Sequence, residues 1–484
     1  MKHLLSALLL ACSLLLSAAE TLTVIGTTDI HGHIFSAPGK PNLLKLARAV
    51  SEEAEKAGRA NALLIDCGDL IQGTAETQLD NGKAVLALMN LAKYDVWVPG
   101  NHDFEFGMKT LLARSRDFQG TFLCGNLVYE NDRPAAAWKL FERAGLKVAV
   151  IGVTSEHIAN WNWRPEETGI RIEETFDALD RVMPEVMRAE PELILLAIHA
   201  GRFQSKRFSP KWVQMHDLAK RYPQIDLILG GHTHEPVAGL PMAKSWFMQG
   251  GKHTQGYAKA EIVYDKTKKK CLSLKTNYIA LKPDAPEAET PKALRRELAE
   301  LRKNLHSTVC ENAPALTWKQ PWSLAQMFSK AVAEETKAKI VFHGVLSWGD
   351  KHAGRYSRKD VFDLCPFENT VVLMDLSPSE CKAVLEEQLI ARKSKKKNAM
   401  PQYSFGVSLN AKGELVLADG RIWSNESERL PVAFNSFIAS SGGMRFPVLK
   451  KISSRPEVNG RDTGLKVRML LENYLRRNFQ RNAF

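Results

Sequence analysis

The feature that most constrains this chain is a strand ending that recurs. Six short runs of aliphatic and β-branched residues, at 22–26, 62–65, 96–98, 148–153, 193–198 and 227–229, are separated by helical patterns such as 43–57 and 176–187. Strand and helix in alternation is the rhythm of an α/β domain. Five of the six runs stop directly in polar residues that follow neither a helical nor a strand period. These are Asp29-Ile30-His31, Asp66-Cys67-Gly68-Asp69, Asn101-His102-Asp103, His199 and His232-Thr233-His234. Such ends are expected to converge on one edge of a sheet, where ligands bind in open α/β folds.

The residue types at those ends describe a chemistry. Two carboxylates, an amide and four histidines, with His102 as a fifth, make a set of oxygen and imidazole donors with no thiolate. That set suits zinc, manganese, iron or cobalt better than a structural zinc site or an all-oxygen calcium site. One divalent ion takes about four to six ligands, so seven candidates imply two ions sharing a bridging carboxylate. A single histidine at a strand end is ordinarily a core or turn residue. Five such motifs in order are not.

The chain has 484 residues, enough for two or three domains, and its 44% hydrophobic and 25% charged composition is that of a soluble globular protein. The first residues read as a secretory leader: Lys2 and His3, an apolar run over 4–16, then Ser17-Ala18-Ala19 before Glu20. Leu9-Leu10-Ala11-Cys12 would be a lipobox, but Leu10 is bulky and Cys12 falls in mid-run, so plain export is the expectation. No later run approaches the roughly 20 apolar residues of a membrane span. A net charge of +12 favours encounter with anions, but the basic residues are dispersed. The densest runs, Lys266 with Lys268-Lys269-Lys270 and Arg392-Lys393 with Lys395-Lys396-Lys397, read as solvated turns, and no nucleic-acid-binding motif accompanies them. Beyond the leader stand Cys67, Cys124, Cys271, Cys310, Cys365 and Cys381, widely spaced and without a C-x-x-C, read mostly as buried thiols.

Three prolines, Pro283, Pro286 and Pro291, precede a charged helical pattern at 292–305, and the texture then changes to helices at 323–337, 378–390 and 465–478 with strands at 370–375 and 403–409. The expected division is a leader at 1–19, a catalytic α/β domain at 20–282, a linker with helix at 283–314 and a smaller α+β domain at 315–484.

The series D-x-H, G-D, G-N-H-D, H and G-H-x-H resembles the calcineurin-like metallophosphoesterases, and more closely their exported 5′-nucleotidase and 2′,3′-cyclic-nucleotide phosphodiesterase branch. Gln72-Gly73-Thr74, the linker helix and the C-terminal domain extend the resemblance over most of the chain. It implies an α/β sandwich carrying two divalent ions, with a C-terminal domain that supplies a nucleotide pocket. Asp29, His31 and His234 then ligate one ion, Asn101, His199 and His232 the other, and Asp69 bridges. Two such ions lower the pKa of a bound water, hold phosphate oxygens and neutralise charge in an in-line displacement. By the same resemblance His102 is the catalytic histidine, oriented by the residue three further on; that residue is commonly Asp and here is Glu105. Asp66 and Asp103 are expected to support their turns.

In the C-terminal domain, Pro366-Phe367-Glu368-Asn369-Thr370 and Asn435-Ser436-Phe437-Ile438-Ala439 match family segments, and Phe405 and Phe437 match the aromatics that sandwich the base, although either is equally at home in a core. The family's N-G-G-x-R reads here His343-Gly344-Val345-Leu346-Ser347, so its phosphate-binding arginine is missing. The ribose-binding Asp after the glycine pair is replaced by Met444-Arg445, leaving Arg355 and Arg445 as candidate replacement cations. The expected activity is phosphate release from a nucleotide or similar organic phosphate. The alternatives are a phosphodiesterase acting on 2′,3′-cyclic nucleotides or nucleotide-sugar pyrophosphates, and a non-catalytic nucleotide-binding or surface-interaction protein.

Overall fold

The computed structural model describes residues 19–35, 39–154, 156, 168–202, 214–319, 321–347, 349–393, 402–442 and 445–480. The leader with Cys12, the basic run at 395–397, Trp348 and Met444 lie outside the described residues. The chain divides into two compact units: one takes residues up to Gln72, 80–156 and 169–297, the other 73–79 and the chain from Leu298 onward. The division falls inside the helix Lys292–Leu305.

In chain order the strands of the first unit are β1 (Ala19–Thr27), β2 (Ala62–Asp66), β3 (Val96–Trp97), β4 (Thr121–Phe122), β5 (Leu127–Tyr129), β6 (Trp138–Arg143) and β7 (Leu146–Val153). They continue as β8 (Ile170–Ile172), β9 (Leu193–Ile198), β10 (Leu227–Gly230), β11 (Pro236–Met242), β12 (Ser245–Gly250), β13 (Gly256–Asp265) and β14 (Lys270–Ala280). Two six-stranded sheets result, with orders β14-β13-β1-β2-β3-β4 and β11-β12-β10-β9-β7-β6. Within them β1 to β4 are mutually parallel, as are β12, β10, β9 and β7.

This corrects one expectation. The six apolar runs do not meet at the edge of one sheet: they split three and three between two. The reason lies in the two-residue period of a strand. Leu22, Val24, Leu63, Ile65 and Val96 of the first sheet face Val148, Val150, Leu193, Leu195 and Leu227 of the second in one dry core. The alternate residues of the second sheet, among them Ala149, Ile151, Ile194, Leu196 and Ile228, pack outward against Leu179, Val182 and Val186 of the helix Thr175–Arg188. The helix Leu43–Lys56, capped by Asn42, whose side chain accepts the Lys45 N–H, covers β1 and β2. The central strands of both sheets are thus buried on both faces, which is why the runs are apolar throughout rather than alternating.

The second unit is built on β15 (Thr308–Ala313), β16 (Ile340–Gly344), β17 (Gly354–Ser357), β18 (Thr370–Leu376), β19 (Gln402–Phe405), β20 (Val407–Leu409), β21 (Leu415–Leu417), β22 (Leu430–Asn435) and β23 (Arg461–Lys466). Five of these form a sheet of order β19-β16-β22-β18-β23 with a core cluster on each face. Two elements differ from the sequence expectation. The strand read at 403–409 breaks at Gly406, whose φ of +79° turns the chain and whose added Cβ would strike the Lys339 carbonyl. The helix read from Leu465 starts instead at Val467, because Leu465 and Lys466 belong to β23.

Candidate metal centre

All seven candidate ligands, with His102 and Glu105, lie in the first unit. Asp29 and His31 follow β1, Asp69 follows β2, Asn101 and His102 follow β3, His199 follows β9, and His232 and His234 follow β10. After β1 and β2 the two loops stay in register: Asp29 donates its N–H to the Gly68 carbonyl at 2.8 Å, and His31 to that of Asp69 at 2.8 Å. Asp29, His31, Asp69, His232 and His234 all have positive φ, between 48° and 73°. Left-handed backbone at so many non-glycine residues is costly and persists where surrounding structure enforces it, most often at functional sites. Gly100 permits a close approach, for a Cβ there would stand 2.3 Å from both the Asp69 nitrogen and Oδ1.

The donors form two overlapping groups, Asp29–His31–Asp69–His234 and Asp69–His199–His232, each with ligand atoms within 4.8 Å of one another. Asp69 belongs to both. Its Oδ1 accepts the His102 N–H at 2.8 Å, while Oδ2 lies 3.6 Å from His31 Nε2 and 3.1 Å from His199 Nε2. Asn101 joins the second group through Oδ1, 2.9 Å from His232 Nδ1. Asp29 Oδ1 stands 3.3 Å from His234 Nε2.

These residues fit a pair of cations. His31 Nδ1 donates to the Gln72 carbonyl at 3.0 Å and His199 Nδ1 to that of Cys67 at 2.7 Å, so in the neutral tautomers both Nε2 lone pairs point into the site. His31 Nε2 there meets His234 Nε2 at 3.1 Å. His199 Nε2 is fully buried and, despite its nearness to Asp69, has no hydrogen-bond partner. Lone pairs brought face to face in a buried site need a cation or protons between them. Counted with protons alone, burial opposes charge on His199, yet the Asp69 carboxylate outweighs it and pushes the imidazole up to about 9. On His31 burial prevails and the pKa falls. Asp69 is held well below the usual carboxylate range against its burial, by His199 and His102.

Around this centre, His102 Nδ1 is 2.5 Å from Glu105 Oε1. Burial disfavours its charge, but Asp69 and Glu105 together lift its pKa to about 10. Asp66 accepts from the Thr27 hydroxyl at 2.7 Å and the Gly68 N–H at 3.0 Å. Asp103 accepts the N–H groups of Leu70 and Ile71 on Oδ1 and that of Gly100 on Oδ2. Burial, then the Asp69 charge, push the Asp103 carboxyl up to about 6. Two more histidines border the site that sequence reasoning missed, His33 and His253, with ring centroids 4.3 Å apart. Their signal was the second histidine of D-x-H-G-H and the polar end of β12, a strand whose Ser245 and Gln249 hide it among the apolar runs.

The four substrate candidates all lie in the second unit. Phe405 ends β19 opposite Val341, half-buried against the core. Phe437 sits half-buried in the short helix Ser436–Ala439 and its carbonyl accepts the Gly442 N–H. Arg355 is committed to β15 and its approach, donating to the Thr308 hydroxyl at 2.9 Å and the His306 carbonyl at 3.1 Å. The Arg445 N–H donates to Ser441.

Residues 22–236 match the family model for calcineurin-like phosphoesterases, and residues 304–423 that for the 5′-nucleotidase C-terminal domain. Protein UshA from Yersinia enterocolitica is 25% identical over 446 residues, 81% of this chain and 80% of that protein. A 5′-nucleotidase from Vibrio cholerae is 27% identical over 244 residues, covering 47% of this chain and 43% of that protein. The structure of a putative 5′-nucleotidase from Staphylococcus aureus shares the fold, with a TM-score of 0.75 at 18% identity over 96% of this chain and 98% of that one. The chain thus carries a calcineurin-like phosphoesterase domain at 22–236 and a 5′-nucleotidase C-terminal domain at 304–423.

Proposed function

We propose that the protein is an exported phosphohydrolase of the 5′-nucleotidase kind, releasing phosphate from nucleotides or related organic phosphates at a two-cation centre. The observation that carries this is Asp69, whose Oδ2 is shared by two groups of nitrogen and oxygen donors. Asp29, His31 and His234 would hold one cation with Asp69; Asn101, His199 and His232 would hold the other. When bound, divalent zinc, manganese, cobalt or iron supplies positive charge for the phosphoryl oxygens and lowers the pKa of a water.

The chain's own residues supply the rest. His102 lies beside this centre, its ring centroid 5.2 Å from that of His31. The Glu105 carboxylate at its Nδ1 favours the protonated ring, which offers its proton to a phosphoryl or leaving oxygen. Glu105 holds Nδ1–H, which fixes the ring plane and leaves Nε2–H to meet substrate. Phe405 and Phe437 are assigned to the base, where each stacked ring contributes about 1–3 kcal/mol. Arg445 is assigned to substrate charge; Arg355 takes that role only by giving up Thr308 and His306. Export rests on the leader pattern of residues 1–19. Among the described residues no helix is long and apolar enough to cross a membrane.

The test is a panel of phosphate monoesters with zinc, manganese and cobalt in turn, scored by released phosphate. Turnover of nucleoside monophosphates is expected; no release from any monoester with any metal overturns the reading. Preference for bis-p-nitrophenyl phosphate over the monoester would redirect it to a diesterase.

A further inference from the structure

The turn between β12 and β13 brings a histidine against the cation centre that the mechanism above leaves unused. The His253 ring meets His31 and His234 edge-on, with centroids 5.6 Å from each and interplanar angles of 76° and 65°. Its main-chain N–H donates to the Asp29 carbonyl at 2.8 Å. One residue therefore touches three of the four members of the group Asp29–His31–Asp69–His234. The turn is built for this at a conformational cost: His253 and the buried Thr254 are consecutive non-glycine residues at φ of +48° and +60°. The Thr254 hydroxyl donates to the His253 carbonyl at 2.6 Å, and the Gln255 carbonyl accepts the Leu281 N–H at 2.8 Å. His33 closes the remaining side at 4.3 Å.

The two halves of the centre differ in their need for such a brace. His199 is 0% exposed and locked by its surroundings, whereas the His234 side chain is 34% exposed. We propose that His253 is a positioning residue for the cation site of Asp29, His31, Asp69 and His234, fixing both imidazole planes by ring packing and the Asp29 loop by its N–H. Groups outside a ligand shell that orient imidazoles in this way typically govern affinity for the ion. The inference rests on the two-cation reading.

The test is a calorimetric titration of chelator-stripped protein with Mn²⁺, with bound metal counted by elemental analysis. His253→Asn tolerates the left-handed backbone and keeps the N–H to Asp29 while removing the ring; His253→Phe keeps a ring without nitrogen. Wild type is expected to take up two equivalents. The Asn variant should lose about 10-fold or more in affinity for one of them and nothing for the other. The Phe variant should bind close to wild type. If the Asn variant does not fold, His253→Gly, for which positive φ carries no penalty, provides the ringless comparison. Unchanged affinity for both equivalents without the ring overturns the proposal, as does a Phe variant no better than Asn. Wild type that binds no Mn²⁺ instead overturns the two-cation reading itself.

Discussion

Glu105→Gln isolates charge from position in the His102 pair. Glutamine keeps an acceptor oxygen for Nδ1–H, so the ring stays placed, and only the carboxylate charge goes. With His102 protonated the bond goes from two ionised partners to one, a loss comparable to the step from a charged hydrogen bond, about 1.5–3 kcal/mol, to a neutral one, about 0.5–1.5. The His102 and Glu105 side chains are 29% and 21% exposed, so solvent screening favours the low end of that difference, about 1 kcal/mol. That predicts a roughly 5-fold lower kcat and a His102 pKa lower by somewhat under one unit. Glu105 is one of the groups that raise the His102 pKa, and the proton donor acts in its protonated form. Removing the charge therefore moves the alkaline limb of the pH–rate profile to lower pH and leaves the acid limb in place. His102→Ala, by contrast, should cost about 10²–10⁴-fold. The assay is kcat and kcat/KM against pH at saturating metal for both variants. Full turnover by Glu105→Gln with an unmoved alkaline limb, beside an inactive His102→Ala, would refute the pairing.

Three further outcomes follow from the same geometry. Gly100→Ala puts a Cβ 2.3 Å from the backbone nitrogen of Asp69, which cannot swing aside as a side chain would. It should destabilise the fold by about 1–3 kcal/mol in urea and lose bound metal, because Asp69 must shift. Asp103→Ala strands three N–H groups, those of Leu70, Ile71 and Gly100, in a buried place. A loss of about 3 kcal/mol or more in a denaturant titration is expected, and a loss under about 1 kcal/mol would mean that water replaces the carboxylate. Stripping the protein with a chelator should lower its melting temperature, since ions at 100-fold above their Kd stabilise by about 2.7 kcal/mol and each kcal/mol moves a domain of this size by about 2–4 °C. His199→Ala should shrink that difference, and equal melting with and without chelator in wild type would count against bound ions.

The centre was largely legible before folding because its parts are local. A strand that ends in a carboxylate or imidazole announces the end, the residue type and the chain direction together, and Asp29, His31, Asp69, Asn101, His199, His232 and His234 each sit at such an end. The helix Lys292–Leu305 was equally plain, since Leu294, Leu298, Leu301 and Leu305 recur at helical spacing. Elsewhere the local signal misled. Gly406 divides what reads as one strand, because its positive φ and its closeness to the Lys339 carbonyl are facts about a neighbour far away in sequence. β12 was not recognised at all: Ser245 spends its hydroxyl on the Ile225 carbonyl and Gln249 pairs with Thr233, so polar residues occupy a buried strand. His253 at its end was lost with it.

What the sequence determined alone is therefore the donor chemistry: which side chains end which strands, and that their number exceeds one ion's needs. What tertiary structure decided is their meeting. Apolar runs buried on both faces carry no mark of which sheet they join, so their division into two sheets follows only from how the faces of β1 to β3 and of β7, β9 and β10 pack together. That packing brings His199 and His232 of one sheet to Asp69 of the other, and it lets the turn after β12 press His253 against His31 and His234. Residue type is written position by position, whereas a shared carboxylate oxygen depends on distances between segments as far apart as Asp69 and His199, which only the folded core sets.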